Sequence, residues 1–356
     1  MGTGPGPIVA GRFGRVREAF GERFDVPVGY LNTASIGIPP ATVADAVAEA
    51  VADWRVGAAR PPDYDRHVAT ARDAWASLVG VAPAHVASGA SVSQLVGLVA
   101  ASVPDGTRVV TVGGEFTSVT FPFAAQEKRG VTVREVPHGE LLSALDDADL
   151  VAVSVVQSAD GAIVDLDALR ATGKPVLLDA TQAVGWLPLT LDWADWVVGG
   201  SYKWLCSPRG AAWLAVRPDA QALVPHSANW YAAQDRWDGV YGLPLRLADG
   251  ARGLDLSPVW FTQVGAAAAT AWLAGLDMAR VRDHCVGLAD AVLTGLGLPA
   301  AGSAIISLEL SADQAERLAR AGVVSAVRAG RTRLSCHLYN TQDDVDRVLS
   351  ALGTRS

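Results

Sequence analysis

Apolar residues along the chain keep two different rhythms, and the alternation between them sets out the elements. Short continuous apolar runs, rich in Val and Leu, occupy 108–112, 131–136, 150–156, 175–179 and 196–200; this is the pattern of strands buried on both faces of a sheet. Ala-rich stretches at 41–55, 65–79 and 92–102 instead repeat their apolar positions every three or four residues, which predicts helices. Strands separated by helices or turns imply an α/β fold with a mainly parallel central sheet, whose carboxyl edge is where ligands bind. A further run, 211–216, follows directly on Pro208-Arg209-Gly210, a tight turn suited to an antiparallel return.

Beyond this the pattern changes. Residues 230–252 are irregular and rich in Trp and Tyr, and a helix at 263–276 serves as connector. Then 304–310 reads as a strand and 311–320 as a helix, with Ser311 and Gln314 at capping-box spacing; Thr341 and Asp344 open the last helix in the same manner. At 356 residues the chain exceeds the roughly 250 that one core usually organises. The expected division is an N-terminal segment, 1–28, packing on the small domain and holding a short helix around 15–24; a large domain, 29–250; and a smaller α+β C-terminal domain, 251–356. Residues 30–40, turn-rich and polar, suit a loop over a site.

Half of the residues are hydrophobic, enough for a large core. The formal charge of -8 is spread out, with no basic run interleaved with aromatics, so no nucleic-acid footprint is expected. No apolar stretch approaches the roughly 18 to 20 residues that cross a bilayer. The Gly- and Pro-rich stretch 1–12 lacks the apolar segment of an export signal. Cys206, Cys285 and Cys336 are odd in number and lack metal-ligand spacing, which fits a reducing cytoplasm.

Candidate chemistry enters with lysine, because the chain has only three: Lys128, Lys174 and Lys203. An amine that attacks a carbonyl must lose its proton near neutral pH, which a desolvated lysine does and an arginine does not. Lys203 follows directly on the run 196–200, and Asp179 ends the run before it. Taken alone, each fits a solvated side chain or a helix cap. As an ordered pair on neighbouring strand ends, with Gln182 close behind, they supply an amine and a carboxylate at one sheet edge. Pyridoxal 5'-phosphate (PLP) requires that arrangement, an imine-forming lysine and a partner for its pyridinium nitrogen.

Asp179-Ala180-Thr181-Gln182, Ser201-Tyr202-Lys203-Trp204 and Arg333-Leu334-Ser335-Cys336-His337-Leu338-Tyr339-Asn340-Thr341 together resemble the class V aminotransferase family of fold-type I PLP enzymes. The resemblance runs from about Tyr30 to the C-terminus. It implies that Lys203 forms the Schiff base and shuttles protons, that Asp179 bonds the pyridine nitrogen, and that Gln182 reaches the ring hydroxyl. It places the phosphate on Gly89, Ala90 and Ser91, where a turn opens a helix, with Tyr202 adding its hydroxyl. Phe116 is the ring-stacking candidate and Arg333 the grip on the substrate carboxylate, with Asn32 and Gln157 as further substrate contacts. Ser257 stands where the family sends a hydroxyl into a partner's phosphate site, which implies a homodimer with shared active sites.

The reaction is less determined than the cofactor. Cysteine desulfurases carry a nucleophilic cysteine on a mobile loop after an Arg-Ala-Gly-like turn; here Arg328-Ala329-Gly330 runs straight into Arg331-Thr332-Arg333 without one. The resemblance leaves a PLP enzyme acting on an α-amino acid. Transamination leads, C–S (β-elimination) lyase and epimerase activity are alternatives, and a non-catalytic PLP-binding protein is a further one. No Gly-x-Gly-x-x-Gly turn supports a dinucleotide-binding reading.

Overall fold

The structure is a computed structural model, and it describes residues 16–353. In chain order the elements are β1 (Val16–Ala19), β2 (Glu22–Asp25), α1 (Ala41–Arg55), α2 (Asp65–Val79), β3 (Val86–Gly89), α3 (Val92–Ser102), β4 (Arg108–Val112), α4 (Thr117–Ala124), β5 (Thr132–Val136), β6 (Leu150–Ser154) and α5 (Leu166–Ala171). They continue with β7 (Val176–Asp179), β8 (Trp196–Gly200), β9 (Ala212–Val216), α6 (Trp260–Ala274), α7 (Met278–Gly295), β10 (Ile305–Leu308), α8 (Ala312–Arg320), β11 (Ala326–Arg328), β12 (Arg331–Ser335) and α9 (Gln342–Leu352).

A seven-stranded sheet in the order β3-β9-β8-β7-β6-β4-β5 carries the fold. β8, β7, β6, β4 and β5 pair in parallel, and β9 runs antiparallel to both β8 and β3. Six strands therefore deliver their carboxyl ends to one edge. The continuous apolar runs follow from burial on both faces: on β6, Val151 and Val153 join a core with Trp75 and Trp186, while Leu150 and Ala152 face another with Leu95 and Phe123. The Pro208–Gly210 turn does return β9 antiparallel.

A three-stranded antiparallel sheet, β10-β12-β11, lies in the C-terminal region. Its core gathers Leu293 of α7, Leu318 of α8 and Val345 and Val348 of α9 around Ile306 and Leu334. Both capping boxes form, Ser311 with Gln314 and Thr341 with Asp344. The connector helix α6 packs against α1 and α2, on the side of the large sheet. No helix among the described residues is long and apolar enough to cross a membrane.

The N-terminal helix expected around 15–24 is instead a hairpin, β1 paired antiparallel with β2. Phe20 and Gly21 both take positive φ, 50° and 81°, the two-residue turn that matches the twist of paired strands. A helix would have lost that turn and the alternation that buries Phe24 and Val26. Arg17 donates to Asp344 of α9 and to the Tyr339 carbonyl, and Trp272 of α6 donates to the Phe20 carbonyl. The part of the N-terminal segment before Val16, including the stretch read for an export signal, lies outside the described residues. Unforeseen elements were β3, too short at four residues to register as a run, α4, with its internal Pro122, and α7, opened by Asp277 accepting from Ala279 and Arg280.

Candidate active site

β7 ends in Asp179, and β8 runs through Gly200 into the turn bearing Lys203. Two strands away, β3 ends at Gly89, followed by Ala90 and the Ser91 cap of α3. Loop residues and strand ends at this edge enclose one cavity, whose wall includes Ala90, Ser91, Phe116, Asp179, Gln182, Tyr202 and Lys203. Seven expected site residues thus share a surface although the chain separates them by more than a hundred positions.

Lys203 is 6% exposed. Its Nζ makes no hydrogen bond or ion pair among the described residues and lies 5.1 Å from the centre of the Phe116 ring and 5.6 Å from that of Tyr202. Burial lowers its pKa to about 8; Asp179 opposes the shift, while Arg333, Arg328 and Arg209 reinforce it. The amine is therefore half neutral near pH 8 rather than near its usual value. Carbonyl capture by the cofactor-free chain should accordingly rise through pH 8 and level off above it. A stopped-flow pH profile of PLP uptake reads this; a midpoint above 10 would show an unperturbed lysine.

The lysine turn is clamped from outside by the 30–40 loop. Gly37 donates to the Tyr202 carbonyl at 2.9 Å, and a Cβ on Gly37 would come within 1.9 Å of the Lys203 carbonyl oxygen. Only glycine lets the two backbones approach this closely. On the other side Trp204 donates to Gln182 Oε1 at 2.7 Å, and the buried His337 ring nitrogen lies 2.9 Å from the Trp204 carbonyl. Burial lowers the His337 pKa to about 3, so the ring is neutral at physiological pH.

Asp179 Oδ1 accepts from the Thr181 N–H at 2.8 Å, and Thr181 Oγ1 accepts from the Gly200 N–H at 3.0 Å, tying the ends of β7 and β8. Burial raises the Asp179 pKa, against the hydrogen bonds of Thr181 and the charge of Lys203. At the far end of the cavity, Ser91 Oγ accepts from Gln94 N and Gln94 Oε1 accepts from Ala90 N. The first-turn N–H groups of Val92 and Ser93 have no intrahelical acceptor and stand on the cavity wall.

Arg333, on β12, is buried but is not on the wall. Its Nη1 donates to the Ser158 carbonyl at 2.6 Å and to Ser158 Oγ at 3.1 Å, and its Nη2 donates to Ser35 Oγ at 2.7 Å. Ser158 does line the cavity and also accepts from Gln182 Nε2 at 3.0 Å. No carboxylate pairs with Arg333 among the described residues, its Nε is buried without a partner, and burial lowers its pKa to about 10. A buried guanidinium without a counter-ion is costly to the fold.

Three further expected residues are not on the cavity wall. Asn32 pairs through its backbone with Ser335, its Oδ1 buried without a partner. Gln157 turns its Oε1 onto the Ser158 N–H at 2.9 Å. Ser257 is exposed, just past Asp255, which pairs with Arg72 at 2.5 Å and accepts from Ser88 N. None of the three lines the cavity.

Sequence reading missed Glu115 and Ser154. The buried Glu115 carboxylate accepts from Phe116 N at 2.7 Å and from the N and Oγ of Ser154 at 2.8 and 2.7 Å, which fixes the Phe116 loop to the end of β6. Burial raises its pKa despite these bonds. An acidic residue just after a strand run, next to an aromatic, was the available signal. Arg209, also on the wall, was hidden by the abundance of arginine.

The aminotransferase class-V family model matches residues 40–301. The chain belongs to that family. It is a PLP-dependent enzyme on an α/β scaffold. An uncharacterized aminotransferase, YcbU, of Bacillus subtilis (strain 168) is 28% identical over 312 residues, covering 80% of this chain and 83% of the relative. The isopenicillin N epimerase of Streptomyces clavuligerus is 28% identical over 386 residues, covering 92% and 95%. Among solved structures, a C-DES mutant with glycine covalently linked to its PLP cofactor superposes with a TM-score of 0.81 at 18% identity, over 91% of this chain and 96% of that one. At that identity the likeness concerns the fold. The family assignment supports the fold class, the enzyme and its cofactor as expected, and leaves the reaction subtype open.

Proposed function

We propose that this family member binds PLP in the cavity at the carboxyl edge of the large sheet and acts on an α-amino acid at Cα. The observation that carries the reading is Lys203, a buried amine without a hydrogen-bond partner that shares its cavity with the buried carboxylate of Asp179. When bound, the cofactor supplies an electron sink for the pair left on Cα. Lys203 would hold it through Nζ and Asp179 through the ring nitrogen, with Gln182 near the ring hydroxyl. Ser91, the α3 N-terminus and Tyr202 would take the phosphate, the turn being shaped by Gly89 and Ala90. Phe116, 43% exposed on this chain, would cover one face of the ring, and Arg333 would meet the substrate carboxylate once Ser158 and Ser35 yield its N–H groups.

Transamination is the reaction this set of residues favours. Lys203 is the one amine on the wall, and Phe116, which faces it, has no ionisable group. Burial raises the Tyr202 pKa, so its phenol is not a base at neutral pH. A proton taken from Cα would be held by Nζ for return, which suits transamination. Persulfide chemistry lacks its nucleophile: Cys206, Cys285 and Cys336 are all buried, off the cavity wall, and their thiols are held neutral. An L-amino acid incubated in D2O should exchange its Cα hydrogen with retained configuration, and amino-group transfer to a 2-oxo acid should follow. Accumulation of the D-isomer would favour epimerisation; release of an elimination product would favour the lyase.

The reading extends to organisation. The large sheet and the C-terminal sheet would form two lobes, with the 30–40 loop bridging them: it bonds Tyr202 and Gln182 on one side and Arg333 on the other. Ser257, exposed on this chain, would complete the phosphate site of a second copy in a homodimer. Three free, buried cysteines fit a reducing cytoplasm.

A further inference from the structure

A phosphate dianion is held more strongly where a cation joins the backbone N–H groups, and the sheet register brings one to the same edge as Ser91. β9 begins at Ala212, which pairs with Gly89 of β3 on one side and with Gly200 of β8 on the other. Asp179 lies beyond β8, on β7. Arg209, three residues before Ala212, therefore belongs to the end of the cavity that holds Ser91, opposite the end that holds Asp179.

Its backbone is fixed on both sides. Ser201 Oγ donates to the Pro208 carbonyl at 2.8 Å and Thr262 Oγ1 of α6 to the Arg209 carbonyl at 3.1 Å. Gly210 takes φ 122°, a conformation open to glycine, against Thr262. The side chain is exposed at the cavity mouth and makes no hydrogen bond or ion pair among the described residues. Its guanidinium carbon lies 5.2 Å from the centre of the Tyr202 ring, a face-on placement that holds the planar group without using its N–H donors.

We propose that Arg209 is the cationic clamp on the cofactor's phosphate, held in place by Tyr202. The proposal rests on the PLP reading above and adds to it the residue that neutralises the phosphate charge. A planar fork of donors suits a phosphate better than an ammonium does, and the pairing would let the Tyr202 hydroxyl and the guanidinium act on one anion.

The test uses the full chain freed of cofactor with hydroxylamine, titrated with PLP and with pyridoxal, which lacks the phosphate, and followed by tryptophan fluorescence. Arg209→Gln should weaken PLP about 10- to 100-fold, as expected for a lost charge-assisted contact, and leave pyridoxal unchanged. Inorganic phosphate should compete with pyridoxal phosphate less well in the variant than in the parent, and Arg209→Lys should recover part of the affinity. Equal weakening of both ligands, or of neither, would overturn the assignment. Unaltered PLP affinity with a raised KM for acidic amino acids would overturn it as well, by moving Arg209 to the substrate. Failure of the parent chain to bind PLP at all would instead sink the cofactor reading.

Discussion

Lys203→Ala loses turnover of its amino acid by about 10³- to 10⁴-fold or more, the scale of a general base together with a covalent anchor. The size follows from isolation: no other amine lines the cavity, and of the other two lysines Lys174 donates to the Asp146 and Ala148 carbonyls while Lys128 is exposed. No neighbour takes over. The loss is chemical and not a failure to fold, because Nζ contributes no hydrogen bond to the fold. Nor does its charge stabilise the chain. With a folded pKa near 8 against 10.5, the burial penalty is present in full below pH 8 and fades as pH rises toward 10.5. A small exogenous amine should restore part of the activity by taking the place of Nζ. Unchanged turnover in the variant, or a melting temperature collapse that explains the loss, would remove Lys203 from the chemistry.

Arg333→Ala raises KM for the amino acid by about 10²- to 10³-fold, the cost of removing one side of a buried charge pair. PLP affinity stays near that of the parent, since Arg333 stands behind Ser158 and off the cavity wall. Arg331, two residues away on the same strand and paired with Glu309 at the surface, provides the control: Arg331→Ala should alter neither constant. Steady-state kinetics with a spectroscopic cofactor titration separates the outcomes. Equal losses in substrate and cofactor affinity would point to disruption around Ser35 and Ser158, not to a missing carboxylate partner.

Much of this arrangement was legible because burial on both faces of a parallel sheet writes itself as uninterrupted apolar runs. The runs ending at Asp179 and at Gly200 gave the strand order in the chain, and with it the shared edge of Asp179 and Lys203. β3, with four residues, left no such mark, so Gly89 was read as part of a turn although it closes a strand. The N-terminal hairpin turned on two positive φ angles at Phe20 and Gly21, a local choice that composition around it obscured. Side-chain direction was less accessible still. Asn32 and Gln157 have the right chemistry for a substrate contact, yet neither is on the cavity wall, and Gln157 Oε1 is taken by the Ser158 N–H. Glu115 shows the converse, a carboxylate whose value depends on the end of β6, distant in sequence and adjacent in space.

The central claim is that one amine in this chain carries the cofactor, and borohydride reduction of the holoenzyme followed by peptide mass mapping tests it most directly. The account predicts a reduced pyridoxyl group on the peptide containing Lys203 and none on the peptides containing Lys128 or Lys174. A label on either of those, or no label on any lysine of a PLP-saturated protein, would contradict it.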